Sequence, residues 1–154
     1  MSEPTAASIA AATERITALA RRTPVEPSTL LGDQGVHVWL KMEIWQRTGS
    51  FKIRGALNRM AQLSPVERTT GIVTASAGNH AQGVAASAVH LQIPAIIVVA
   101  ADASPAKVAA LQGYDPAWVT VRRMGRDYDE AEAGGIALAK ELGRHSSRLT
   151  TIPT

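Results

Sequence analysis

The 154-residue chain contains no cysteine. That excludes a disulfide framework, a thiolate zinc cluster and a thiol nucleophile, and it fits a reducing compartment. Aromatic residues are scarce too, at 4% of the chain, so the helices are expected to pack closely through small side chains, alanine above all. No uninterrupted apolar run approaches the ~20 residues that a membrane span needs. The N-terminus has no basic stretch ahead of an apolar one. A soluble, cytoplasmic protein without a standard export signal is therefore expected. His37, His80, His90 and His145 show no metal-ligand spacing, so no metal site is expected. The glycines form neither a GxGxxG fingerprint nor a P-loop, and an NAD-type binding domain lacks its signature.

What is present is globular in composition, with 45% hydrophobic and 19% charged residues. The formal charge is +3 and the isoelectric point about 9.7. Arginines gather at Arg21-Arg22 and at Arg122-Arg123 with Arg126. Neither group has interleaved aromatics, so solvated surface is the better reading and no nucleic acid or membrane partner is expected.

Patterning divides the chain into alternating elements. Thr5 can cap a helix with Ile9, Ala12, Ile16 and Leu19 on one face, ending at Arg21-Arg22. Thr23-Pro24 forces an extended stretch. Gly32 to Gly35 reads as a turn, and Val36 to Leu40 alternates as a strand. Short strands are expected at Ile72-Val73-Thr74, Ala95 to Ala100 and Trp118 to Val121. Helices are expected over Asn79 to Leu91, over Pro105 to Gln112, and from Asp127 to Gly143. The unbroken apolar run after Pro94 suits a parallel strand covered on both faces. The alternation predicts an α/β fold, an open parallel sheet with flanking helices. Gly134-Gly135 interrupts the last helix for no reason visible in the sequence.

Two stretches carry chemistry. In Thr48-Gly49-Ser50-Phe51-Lys52-Ile53-Arg54-Gly55, Ser50 is expected to cap a helix over Phe51 to Leu63 that Ser64-Pro65 stops. Lys52 then falls in the first turn, where orphan N–H groups and the helix dipole oppose its positive charge and favour an amine nucleophile. Arg54 is expected to add to that push. The second stretch, Ser76-Ala77-Gly78-Asn79-His80-Ala81-Gln82-Gly83, runs from a strand into a helix. Such a turn aims free N–H groups at an anion. Gly78 is expected to permit its backbone angles and Asn79 to cap the helix. His80 alone reads as a packed or capping histidine.

Together with Lys41-Met42-Glu43 and Gln46-Arg47, these stretches resemble the fold-type II pyridoxal-phosphate enzymes, and among them most nearly the threonine dehydratase family. The resemblance runs from about Arg22-Thr23-Pro24 to the helix ending near Leu142. It implies pyridoxal 5'-phosphate as cofactor, Lys52 as the Schiff-base lysine, Phe51 packed beside the cofactor, and Asn79 bonded to its 3′-oxygen. It also implies that Ser76, Ala77, Gly78, Asn79 and His80 hold the carboxylate of a small amino-acid substrate. In the family's serine racemases a serine acid/base stands where this chain has Ala77, which favours one-sided elimination. The reaction implied is dehydration and deamination of threonine or serine to a 2-oxo acid and ammonia.

The same resemblance implies three segments: 1–45 from the larger domain, 46–142 as the small α/β domain with both motifs, and 143–154 as the start of the return. It implies that the family's glycine-rich phosphate loop and the residue facing the pyridine nitrogen lie further on. An N-terminal half with weak or no turnover of its own is then expected, prone to self-association or to pairing with a C-terminal half. The rival reading from another class is a non-catalytic remnant or interaction module, and a serine racemase-like enzyme is the second alternative.

Overall fold

A computed structural model describes residues 3–32 and 35–146. The middle of the Gly32 to Gly35 turn and the last eight residues, 147–154, lie outside it. Thr5 closes a capping box with Ser8, and α1 runs over Ala6–Ile16. It stops short of Arg21-Arg22, because backbone bonds from Leu19 and Ala20 both return to the Ile16 carbonyl. β1 (Val25–Pro27) and β2 (Trp39–Lys41) pair antiparallel as a separate ribbon. Only the end of the expected Val36 to Leu40 strand is paired. A single 3-10 turn over Glu43–Trp45 then leads to α2 (Lys52–Ala61).

The remaining elements alternate. α3 (Pro65–Thr70) is followed by β3 (Ile72–Ala75), α4 (Asn79–Leu91), β4 (Ala95–Val99), α5 (Pro105–Gln112), β5 (Val119–Arg123), α6 (Tyr128–Glu141) and β6 (His145–Ser146). The four strands β3 to β6 form one parallel sheet in the order β5-β4-β3-β6. The expected α/β fold with a parallel sheet and flanking helices is therefore present.

The sheet is apolar on both faces, and β4 shows why. Ala95, Ile97 and Val99 join the core made with α2, α4 and α5, whereas Ile96 and Val98 pack under α6 with Ala131, Leu138 and Ala139. Alternate residues of one strand serve opposite layers. Burying a side chain such as Ile97 contributes about 1.5–3 kcal/mol. On the first face, Ile53, Ala56, Leu57 and Met60 form the inward stripe of α2. Ala81, Val84, Ala85 and Ala88 form that of α4, as their spacing predicts.

Local caps differ from expectation in three places. Phe51, with helical φ −67° and ψ −14°, occupies the N-cap of α2, and the Ser50 hydroxyl accepts only a long bond of 3.4 Å from the Lys52 N–H. α2 ends at Ala61, and Ser64 opens a further helix, α3, through a capping box with Glu67 and a proline in its first turn. Gly78, not Asn79, is the N-cap of α4. The first 45 residues are tied to the rest of the chain: Ile16 and Ala20 pack on Leu57, and the Gln46 amide bonds both the N–H and the carbonyl of Arg21.

Candidate functional site

The strand order sets the place. From β3 the chain moves outward through β4 to β5, then returns to β6 on the other side of β3. Open parallel sheets bind ligands at such a reversal, beyond the carboxyl ends of the strands. The loop leaving β3 there is Ser76 to Gly78. Its first N–H donates to the Val98 carbonyl at 3.0 Å, and the Ser76 hydroxyl accepts from the Gly78 N–H at 3.2 Å. Gly78 has φ −104°, which any residue adopts, so backbone freedom does not explain it. A Cβ built there meets nothing within 4 Å. The open side of this glycine is where another molecule can approach the backbone. Its N-cap carries no side-chain hydrogen bond, so the start of α4 offers N–H groups to an anion. Asn79 is exposed as the first residue of that helix, and Ala77 packs against the core.

Lys52 opens α2, as expected, and is half-buried. The first turn of α2 holds no acidic residue, and among the described residues Lys52 makes no ion pair. Its Nζ lies 5.3 Å from the centroid of the Phe51 ring, which is itself more than half exposed. An exposed cation–π contact of this kind is worth about 0.5–1 kcal/mol, a weak tether.

Arg54 does not add to the charge around Lys52. Its guanidinium is taken by Glu43, with Nη2 at 2.7 Å from Oε1 and Nε at 3.0 Å from Oε2, and Nη2 also donates to the Arg21 carbonyl at 2.9 Å. The Thr23 hydroxyl donates to the same carboxylate. The Arg54 hydrogen bond, helped by Thr23, holds the Glu43 carboxyl below its usual range. Residues on either side of Lys52's turn are thereby clamped, which the sequence did not reveal because the partners lie 11 and 20 positions apart from Glu43.

The two motifs meet through Gly83. A Cβ on Gly83 would lie 3.0 Å from the Ile53 nitrogen and 3.1 Å from the Lys52 carbonyl carbon. The helix that begins at Asn79 thus rests directly on the backbone of the lysine turn. A glycine in a helix interior, where it costs roughly 1 kcal/mol against alanine, was the signal available in the sequence. His80 projects near this contact. Its Nε2 is buried with no hydrogen-bond partner among the described residues. Burial, with the Lys52 charge adding to it, lowers its imidazole to about 4, so it is neutral near pH 7. Leaving such an atom unbonded costs about 1–3 kcal/mol.

Ser76, Ala77, Val98 to Ala100, Tyr128 and Ala131 line a cavity of about 160 Å³ beside the turn. A larger cavity of about 720 Å³ lies between the end of α1 and Lys41, Arg47 and Arg54. None of the residues 76–80 reaches it.

A family model described as "Pyridoxal-phosphate dependent enzyme" matches residues 16–152. An L-threo-3-hydroxyaspartate ammonia-lyase of a Pseudomonas species is 43% identical over 144 residues, which cover 93% of this chain and 43% of that protein. The serine racemase of Schizosaccharomyces pombe is 41% identical, over 97% of this chain and 44% of its own length. Among solved structures, the processed form of threonine deaminase isoform 2 from Solanum lycopersicum superposes with a TM-score of 0.77 at 33% identity, over 95% of this chain and 43% of that one. The chain spans less than half the length of each.

Proposed function

The chain belongs to the pyridoxal-phosphate dependent enzymes, and on that premise we propose that it carries the lysine and the carboxylate-binding turn of an ammonia-lyase acting on threonine or serine. The observation that carries this reading is the seating of α4 on the Lys52 turn through Gly83, which joins a lysine without an ionic partner among the described residues to a helix start open to an anion. The residues present fit the cofactor: an amine with no ion pair among the described residues, an exposed aromatic ring beside it, and a glycine whose missing side chain leaves the backbone approachable. Lys52 and Phe51 would hold the group, with Asn79 bonded to its ring oxygen. When bound, pyridoxal phosphate supplies an aldehyde that reacts with amines and a ring that stabilises negative charge at the substrate α-carbon.

The chain's own groups supply the rest. The N–H groups at the start of α4, which the turn's own bonds from Ser76 and Gly78 leave open, bind the substrate carboxylate and fix which α-carbon bond is presented to Lys52. Lys52 Nζ takes the α-proton as general base. Loss of the β-hydroxyl follows, and hydrolysis of the released enamine gives a 2-oxo acid and ammonia. Ala77 bears no group that could return a proton on the opposite face. That favours elimination over racemisation, although serine racemases are among the similar proteins.

The test is to incubate the purified protein with pyridoxal phosphate, reduce with borohydride and map the labelled peptide. Label on Lys52 is the expected result; label on Lys41, Lys107 or Lys140 instead overturns the assignment. Added threonine and serine should lower the trapped fraction on Lys52, and alanine at position 52 should abolish it.

A further inference from the structure

His80 and Gly83 lie three residues apart on α4, and positions so spaced share one flank of a helix. Gly83 on that flank faces the backbone of Lys52 and Ile53 so closely that a Cβ on it would lie only 3.0–3.1 Å away. The imidazole one turn earlier is therefore carried to the start of α2, where Lys52 is the charged group that bears on it. Its Nε2 is buried and has no hydrogen-bond partner among the described residues. A neutral imidazole has one N–H and one bare nitrogen, and only the bare nitrogen can accept from an amine. Lys52 is in the complementary position. Its Nζ rests over the Phe51 ring at 5.3 Å, and no hydrogen bond from it is found among the described residues. A buried ring nitrogen without a partner and an amine without an acceptor, among the described residues, thus sit on two elements in direct backbone contact.

We propose that His80 is a positioning residue for Lys52: Nε2, as a bare acceptor, receives a hydrogen bond from the Lys52 amine when that side chain leaves the Phe51 ring, and so fixes the direction in which the amine presents its lone pair. Lys52 then has two resting places. One is the exposed ring, where it is loosely held. The other is buried, and there the amine is oriented. The inference rests on the reading of Lys52 as the reactive amine, and deepens it by assigning the group that aims it.

Nitrogen NMR of the cofactor-free protein labelled at histidine tests the coupling directly. His80 is expected as a single tautomer with the proton on Nδ1, and its Nε2 resonance should move in Lys52→Met while those of His37 and His90 stay in place. A proton on Nε2, or no response to Lys52→Met, overturns the proposal. A second measurement follows the rate at which pyridoxal phosphate becomes trappable on Lys52. His80→Phe keeps the bulk and removes the acceptor, and should slow trapping on the order of tenfold, the worth of one hydrogen bond. His80→Gln restores an acceptor and should recover most of the rate. Equal losses in both variants would make His80 a packing residue only. Trapping on a different lysine would instead overturn the functional reading while leaving the cofactor-free NMR result to decide the His80–Lys52 coupling by itself.

Discussion

Two side chains of the site titrate out of their ordinary ranges, and they do so in different pH windows. His80 protonates at about 4 in the folded protein against about 6.5 when free. The unfolded chain therefore binds the extra proton first, and stability falls as pH drops from about 6.5 to about 4. Glu43 is lowered by its hydrogen bond from Arg54, so its contribution is complete above its ordinary value of 4.5 and is lost as pH falls through the depressed one. Urea midpoints measured from pH 8 to pH 3 should show both losses. His80→Phe should flatten the upper window alone, and Glu43→Gln the lower one alone. At pH 7, Glu43→Gln should also cost about 1–3 kcal/mol, since it removes the charge facing Arg54. The Thr48 to Gly55 and Ser76 to Gly83 motifs were legible as stretches. The partners that Glu43 takes and the burial of His80 within reach of the Lys52 charge were not, because long-range contacts leave no periodic trace.

At the scale of elements, β3, β4, β5 and the long helices followed from apolar patterning, whereas β6 did not, and α4 and α5 fell on their expected residues. α3 did not, although its capping box, Ser64 with Glu67, stood in the sequence. Ser64-Pro65 reads equally as the end of one helix and the start of the next, and only the fold decides. Glycines inside helices are a sharper case. Gly83→Ala gains helix propensity of about 1 kcal/mol, yet its methyl group would press on the backbone at Ile53. A net loss of about 1–3 kcal/mol is expected in thermal melts, as overpacking usually costs, together with slower trapping on Lys52. Gly134→Ala should go the other way. Its nearest contact is the flexible end of Met124 at 3.2 Å, and Gly135 meets only ordinary contacts at 3.5 Å or more. Alanine at either position should raise the melting temperature.

At the scale of the molecule, the sheet and its two cores are well covered, but the β1–β2 ribbon is not. Val25 and Trp39 on it, and Ile44 and Trp45 in the 3-10 turn that follows, are all more than half exposed, and exposed apolar side chains in number favour association. Sedimentation across a hundredfold concentration range should show self-association, weakened by Trp39→Ser. A monodisperse monomer throughout would argue against a sticky ribbon. Among the described residues no helix is long and apolar enough to cross a membrane.

The contact between α4 and the Lys52 turn sets a fixed gauge for the whole site. Because helix backbone meets helix backbone there, no side-chain rotamer stands between the two motifs to be compressed or relaxed. Any motion that carried the turn from Ser76 to Gly78 would drag Lys52 with it. Under the proposed function, adjustment to different substrates is then expected from groups other than this pair, with α2 and α4 together acting as the anvil.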